Sequence, residues 1–282
     1  MSSRLKTAGI VLAASLAALC ATVAYQVRRT EADIARFEER VTSLARTRPA
    51  PAWDPARLSS LPAPVQRYFR FTFPDGVPGY TVARLSASGQ FRRPLTEAFN
   101  ATTARQVIAA GTPALMFSAT TPILPGVWAR AYDYFANGQM EMKARILSTL
   151  TVVDEKETPA LNQISLRRWL LESALYPAAL LPGGHVTWEP VDDEHARAVV
   201  HWGGMRAAML ARFGASGRMT EMRAETDGDL STPYHGSGEH VARANEQRVG
   251  GQTIPLDFTI SRMAGGKLYP FWKGRVDSIA FE

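Results

Sequence analysis

The 282-residue sequence has a single cysteine, Cys20, which excludes an intrachain disulfide and any cysteine-based metal site. Histidine is also sparse. His185, His195, His201, His235 and His240 are the full set, and no two share a metal-ligand spacing on one element. No phosphate-cradling glycine loop occurs. Ser237 in "HGSGEH" lacks the Gly-x-Ser-x-Gly spacing and the strand-turn-helix setting of a nucleophile elbow. The acidic run "VDDEH" reads as a solvated hairpin turn and not as a catalytic carboxylate pair. The expectation is therefore no metal and no cofactor. Lysine is scarce as well, with 5 against 27 arginines.

A nucleic-acid surface is not expected either. Basic residues exceed acidic ones by 32 to 26, and the excess is concentrated at one end. Residues 1–50 carry 8 basic and 4 acidic side chains, whereas the rest carry 24 and 22. The pI near 9.7 thus reports a basic N-terminus and arginine-rich composition.

What is present begins with a long apolar run. Arg4 and Lys6 precede "TAGIVLAASLAALCATVAY", nineteen residues without a charge, and Arg28 and Arg29 follow. About twenty residues suffice to cross a bilayer. A transmembrane anchor over 1–29, in contact with lipid through 7–26, is the preferred reading. A cleaved signal peptide is the competitor, with Thr22-Val23-Ala24 as an acceptable processing site. The bulky Leu19 before Cys20 argues against a lipoprotein signal. The expected location is the cytoplasmic membrane, single-pass, with the body outside the cytoplasm.

The next stretch favours the anchor. In "EADIARFEERVTSLAR", Ile34, Phe37, Val41 and Leu44 recur at spacings of three and four, a narrow helical seam. This stalk either self-associates or docks on the chain's own body. Docking is preferred, because a coiled coil needs about three to four heptads. A proline-rich linker completes residues 30–60, and Val65, Tyr68 and Phe69 then give a short helix an apolar side.

From Tyr80 onward, alternating apolar residues and regular turn signals read as antiparallel strands. Turns are expected at Asn137-Gly138, Asp192-Asp193, Gly214–Gly217, Gly250-Gly251 and Gly265-Gly266. One interrupted helix, about 159–182, separates two such runs, with Thr158 as N-cap and Pro159 at its first position. A lone helix cannot cover both faces of a parallel sheet. The expected fold is mainly β (α+β). A curved antiparallel sheet, or half-barrel, packs on the central helix as a single domain over 61–282. A closed barrel is the second choice.

That helix also carries the candidate site. Arg168 and Glu172 lie one turn apart on an otherwise apolar face, flanked by Trp169 and Tyr176. A guanidinium suits a carboxylate or anionic headgroup through its bidentate fork. The plainer reading is an ion pair clasping the helix to a strand. Trp188, Trp272 and Lys273, with Arg275 nearby, are further candidate ligand contacts. Glu172 is the candidate catalytic acid or base if the site is an enzyme's.

"LPAPVQRYFR" (61–70), "RRWLLESALYPAALLPGGHVTWEPVDDEHARA" (167–198), "GGQTIP" and "YPFWKGRV" resemble an uncharacterised bacterial family defined as a domain of unknown function. The resemblance covers most of residues 60–282. It implies an N-terminal membrane segment and brings no catalytic residue with it. The layout alone is similar to half-barrel lipoprotein carriers and lipid-binding domains, an association at the level of fold. The preferred functional expectation is a membrane-anchored binding or carrier domain for a lipid or other amphiphile. The alternatives are a membrane-associated hydrolase or isomerase using Arg168 and Glu172, and a structural protein of the envelope.

Overall fold

The computed structural model describes residues 3–93, 96–228, 230 and 238–282; Ser237 and His235 lie outside them. Two antiparallel meanders form the body. The first comprises β1 (Val82–Arg92), β2 (Phe99–Ala109), β3 (Ala114–Leu124), β4 (Val127–Ala136), β5 (Gln139–Ile146) and β6 (Leu150–Lys156). The second comprises β7 (Val186–Pro190), β8 (His195–Trp202), β9 (Met205–Phe213), β10 (Met219–Ala224), β11 (His240–Val249), β12 (Gln252–Ala264) and β13 (Lys267–Phe281). Each strand pairs with its sequence neighbour, and β1 pairs with β13 to fuse the meanders into one thirteen-stranded open sheet.

The expected turns occur. Asn137 and Gly138 join β4 to β5 with φ of 52° and 79°, the two left-handed conformations a tight hairpin requires. Asp192 closes the β7–β8 turn by accepting hydrogen bonds from the backbone N–H groups of Glu194 and His195, each at 2.8 Å. The central seam is narrow for a different reason. Gly89 on β1 faces Gly274 on β13, and a Cβ on Gly89 would lie 2.1 Å from the Lys273 carbonyl oxygen. Only a bare backbone permits that approach.

The two edges of the sheet, β6 and β7, are joined by α4 (Pro159–Glu172) and two 3-10 turns, Ser173–Leu175 and Pro177–Leu180. Thr158 caps α4 through its hydroxyl oxygen, which accepts from Leu161 N at 3.2 Å. The helix ends ten residues earlier than the expected 182. Ser173 and Pro177 convert the remainder to 3-10 geometry. The helix touches β4 and β5 on one meander and β8 and β9 on the other. Between β4 and β9 lie eight strand spacings, about 38 Å in a flat sheet at ~4.8 Å each. Fourteen helical residues extend only about 21 Å. The sheet must therefore curl around α4, which fills its concave side as expected.

The convex side carries α1 (Ser3–Thr47). Its seam residues Ile34, Phe37 and Val41, joined by Ala45, are buried against Val82, Val107, Met116 and Tyr132 of β1–β4. Phe37 stacks on Tyr134 with ring centroids 4.3 Å apart. Glu31 forks onto Arg130 at 2.7 and 3.0 Å, and Arg145 donates to the Thr30 hydroxyl. The stalk thus lies on the chain's own body.

The linker also packs. Pro49 and Ala50 pass over Gly111, and Trp53 sits edge-on to Phe69. α2 (Pro55–Leu58) is a single turn within it. α3 (Ala63–Thr72) buries Val65, Tyr68 and Phe69 on the body, with Tyr68 against Phe213.

Candidate functional site

The strand period places alternate residues of β1–β6 on the concave face. On β2, Ala104, Gln106 and Ile108 point inward, while Val107 and Ala109 meet α1. On β4, Ala131, Asp133 and Phe135 point inward, and Tyr132 and Tyr134 point out to Phe37. α4 covers only part of this face. Beside it lies a cavity of about 390 Å³, walled by side chains such as Leu85, Phe117, Met142, Phe258, Ile260 and Trp272.

The inner end of this apolar cavity is charged. Arg168 Nε donates to Glu172 Oε1 at 2.8 Å, and Arg168 Nη1 donates to Asp133 Oδ2 at 2.5 Å. Gln106 donates from Nε2 to the second Glu172 oxygen, Oε2. The Phe117 ring lies 4.6 Å from the Arg168 guanidinium carbon, a stacking that further fixes its plane. Arg168, Glu172 and Asp133 are each at least 96% buried. The arginine therefore ties helix α4 to strand β4, and one of its carboxylate partners is strongly affected. Burial pushes the Asp133 carboxyl up to about 6, opposed by Arg168. Asp133 Oδ1 is buried without a hydrogen-bond partner among the described residues.

The fourth charge is Arg243 on β11. It is 7% exposed, lines the cavity, and makes no ion pair or side-chain hydrogen bond among the described residues. Its guanidinium carbon lies 5.9 Å from the centroid of the Phe258 ring. Burial lowers its pKa to about 10, with Glu172 the largest opposing influence. Arg243 thus stays protonated at neutral pH, a cation in an apolar wall that contacts no counter-ion among the described residues. Such burial is costly unless a partner arrives.

Of the residues singled out from sequence, the cavity gathers Arg168, Glu172 and Trp272. The others fall elsewhere. Trp169 and Tyr176 are fully buried in the core behind the cavity. Trp169 Nε1 donates to the Ala109 carbonyl at 3.0 Å, and the Tyr176 hydroxyl donates to the Trp169 carbonyl. Trp188 packs on Phe213 and donates to the Leu180 carbonyl at 3.1 Å. Lys273 is exposed beside Phe99, because neighbouring residues of β13 point to opposite faces and Trp272 takes the inner one. Arg275 is exposed near Asp257.

Sequence reasoning missed Asp133, Gln106 and Arg243. A signal existed for the first: Asp133 shares inward parity with Ala131 and Phe135, where a charge is out of place unless paired.

A curled antiparallel sheet enclosing an apolar cavity with a charged inner end defines a β-rich domain of half-barrel type. The chain belongs to a family of unknown function (DUF6920), whose model matches residues 59–281. Among solved structures it aligns with a β-barrel-like protein of a domain of unknown function, DUF1849, from Brucella abortus. That alignment has 10% identity, covers 73% of this chain and 100% of the other, and has a TM-score of 0.27. No curated protein matches the chain. The Thr7–Thr47 portion of α1 is long and apolar enough to cross a membrane, and its most apolar stretch is wholly exposed; a membrane span and a signal anchor both fit.

Proposed function

We propose that the protein is a membrane-anchored binding or carrier domain for an amphiphile with one apolar chain and an anionic head, such as a fatty acid. The observation that carries this reading is Arg243, a buried cation in the wall of an apolar cavity that contacts no counter-ion among the described residues. A carboxylate would supply the missing acceptor, and the guanidinium fork suits it. Arg168 is already held by Asp133 and Glu172, so its part is to fix the charged end of the cavity and not to reach for the head. The size argues for one chain. The cavity sits near the lower end of the ~300–1,000 Å³ typical of small-molecule pockets. α1, read as the anchor, keeps the body beside a source of such ligands.

Uptake of a fluorescent fatty acid by the full chain in nanodiscs tests this reading, alongside mass spectrometry of lipid carried through purification. Arg243→Met is expected to lower affinity at least tenfold, about 1.4 kcal/mol. The same change removes a buried charge that no ion pair holds among the described residues, so the melting temperature should hold or rise. Undiminished uptake by the variant, or no uptake by the unaltered protein, would sink the proposal.

A further inference from the structure

The cavity has a direction, and α1 shares it. The inner end lies at Asp133, Gln106 and Glu172, whereas the remaining walls run outward along β1, β3 and β5 to Phe91, Ile123 and Ile146. Those residues stand at the β1–β2, β3–β4 and β5–β6 end of the sheet, because the strands are antiparallel and these turns share one edge. From Phe117, which contacts Arg168, to Ile123 is six residues of strand, about 20 Å.

The same end is unusually apolar on its outside. Leu124 is 65% exposed, Leu150 64% and Val152 54%, and Phe99 and Leu268 join them. Leu124 adjoins the β3–β4 turn, and Leu150 begins β6 after the β5–β6 turn. Leu268 belongs to β13 close to its start, which the pairing of Phe91 with Trp272 places at this end. A scatter of single exposed apolar residues is ordinary, but a ring gathered at a cavity mouth marks an interaction surface. Cations accompany it, with Lys267 and Lys273 exposed on β13.

α1 runs past this ring. Glu31 and Thr30 contact Arg130 and Arg145, which lie near the mouth end of β4 and β5. Thr42 contacts Arg84 near the opposite end of β1, and residues 48–50 cross Gly111 in the β2–β3 turn. The helix therefore leaves the body toward the mouth. The charge-free run ends at Tyr25, and Thr30, five positions on, is already buried against the body. That is about 7.5 Å of helix at 1.5 Å per residue. Tyr25 is exposed at the end of the run, and Trp128 is half-buried at the start of β4, where aromatic side chains suit a membrane interface. Arg28 and Arg29 follow, exposed.

We infer that the mouth of the cavity is held face-down on the bilayer that carries α1, with Leu124, Leu150 and Val152 seated in the interface, so that ligand enters directly from the membrane. This rests on the reading of α1 as an anchor and of the cavity as a ligand site. The rigid helix sets the orientation, the apolar ring gains by leaving water, and the flanking cations meet anionic headgroups.

Depth-dependent quenching tests it on the full chain in proteoliposomes of phosphatidylcholine and phosphatidylglycerol with nitroxide-labelled lipid. Cys20→Ala removes the native thiol, and a fluorophore is placed through Leu124→Cys, Leu150→Cys or Gln139→Cys. Gln139 is exposed at the start of β5, beside the β4–β5 turn at the far end. Labels at 124 and 150 are expected to be quenched by the lipid, and the label at 139 to be unaffected. Equal quenching at all three sites, or none at 124 and 150, overturns the inference. Fatty-acid uptake by the same samples reads the binding proposal separately, so a bilayer-seated mouth without uptake would sink only that proposal.

Discussion

At the scale of single residues, the charged end of the cavity contains two buried cations and two buried carboxylates whose partners are unequally shared. Arg168 holds both carboxylates, so its removal strands them. Arg168→Met should cost about 3–5 kcal/mol, read from urea unfolding. The triple change Arg168→Met, Asp133→Leu and Glu172→Met should recover most of that loss, because an apolar replacement of a buried ion group is often neutral. A triple variant as unstable as the single would show that the clasp acts through shape and not charge. Asp133 gives the site a pH signature. Its folded pKa of about 6 lies above the ordinary 3.8, so the folded state favours the neutral acid. The corresponding stability is fully present below pH 3.8 and is lost as pH rises through 6, on the order of 3 kcal/mol over that window. Glu31 on α1 runs the other way, held low by its hydrogen bond to Arg130. The informative quantity is therefore the difference between the wild type and Asp133→Asn across pH 4–7. A difference that does not vary with pH would dismiss the assignment.

At the scale of elements, two contacts invite direct tests. The Gly89–Gly274 approach joins the meanders, and Gly89→Val forces a side chain into the Lys273 carbonyl. That substitution should destabilise the body by several kcal/mol, as steric overpacking does at ~1–3 kcal/mol or more; a melting temperature unchanged within error would show that the seam yields. On the convex face, Phe37→Ala should cost up to about 3–5 kcal/mol of docking for a buried aromatic. Limited proteolysis should then cut faster between Thr47 and Leu61 while the sheet remains resistant. Elements were also where the sequence spoke most clearly. The hairpin turns, the Thr158 cap, the seam of α1 and the isolation of α4 all follow from local chemistry: left-handed Asn-Gly and Gly-Gly pairs, a hydroxyl acceptor and a spacing of three and four. What stayed hidden depends on pairing between distant positions. Asp133 meets Arg168 across 35 residues, and Gln106 meets Glu172 across 66. No periodicity records such meetings. Trp169 and Tyr176 stand beside the charges in sequence, but Trp169 turns to the Ala109 carbonyl and Tyr176, between the two 3-10 turns, to the Trp169 carbonyl.

At the scale of the whole molecule, the sheet is simple in all respects but one. Eleven of its twelve strand pairings link consecutive strands, and the remaining one joins the first strand to the last, pairing Ala83 with Phe281. Most of the hairpins close short loops at little entropic cost, whereas the junction closes nearly the full length of the body. During synthesis, β1 emerges well before β13, and one of its edges has no partner until β13 is made. Throughout that interval the first meander presents an open row of backbone donors and acceptors, a template for pairing with any other extended chain. Strand β13 is therefore a late-arriving cap on β1. A truncation that removes β13 should yield insoluble protein even though it leaves every hairpin of the first meander intact, measured as the soluble fraction after expression.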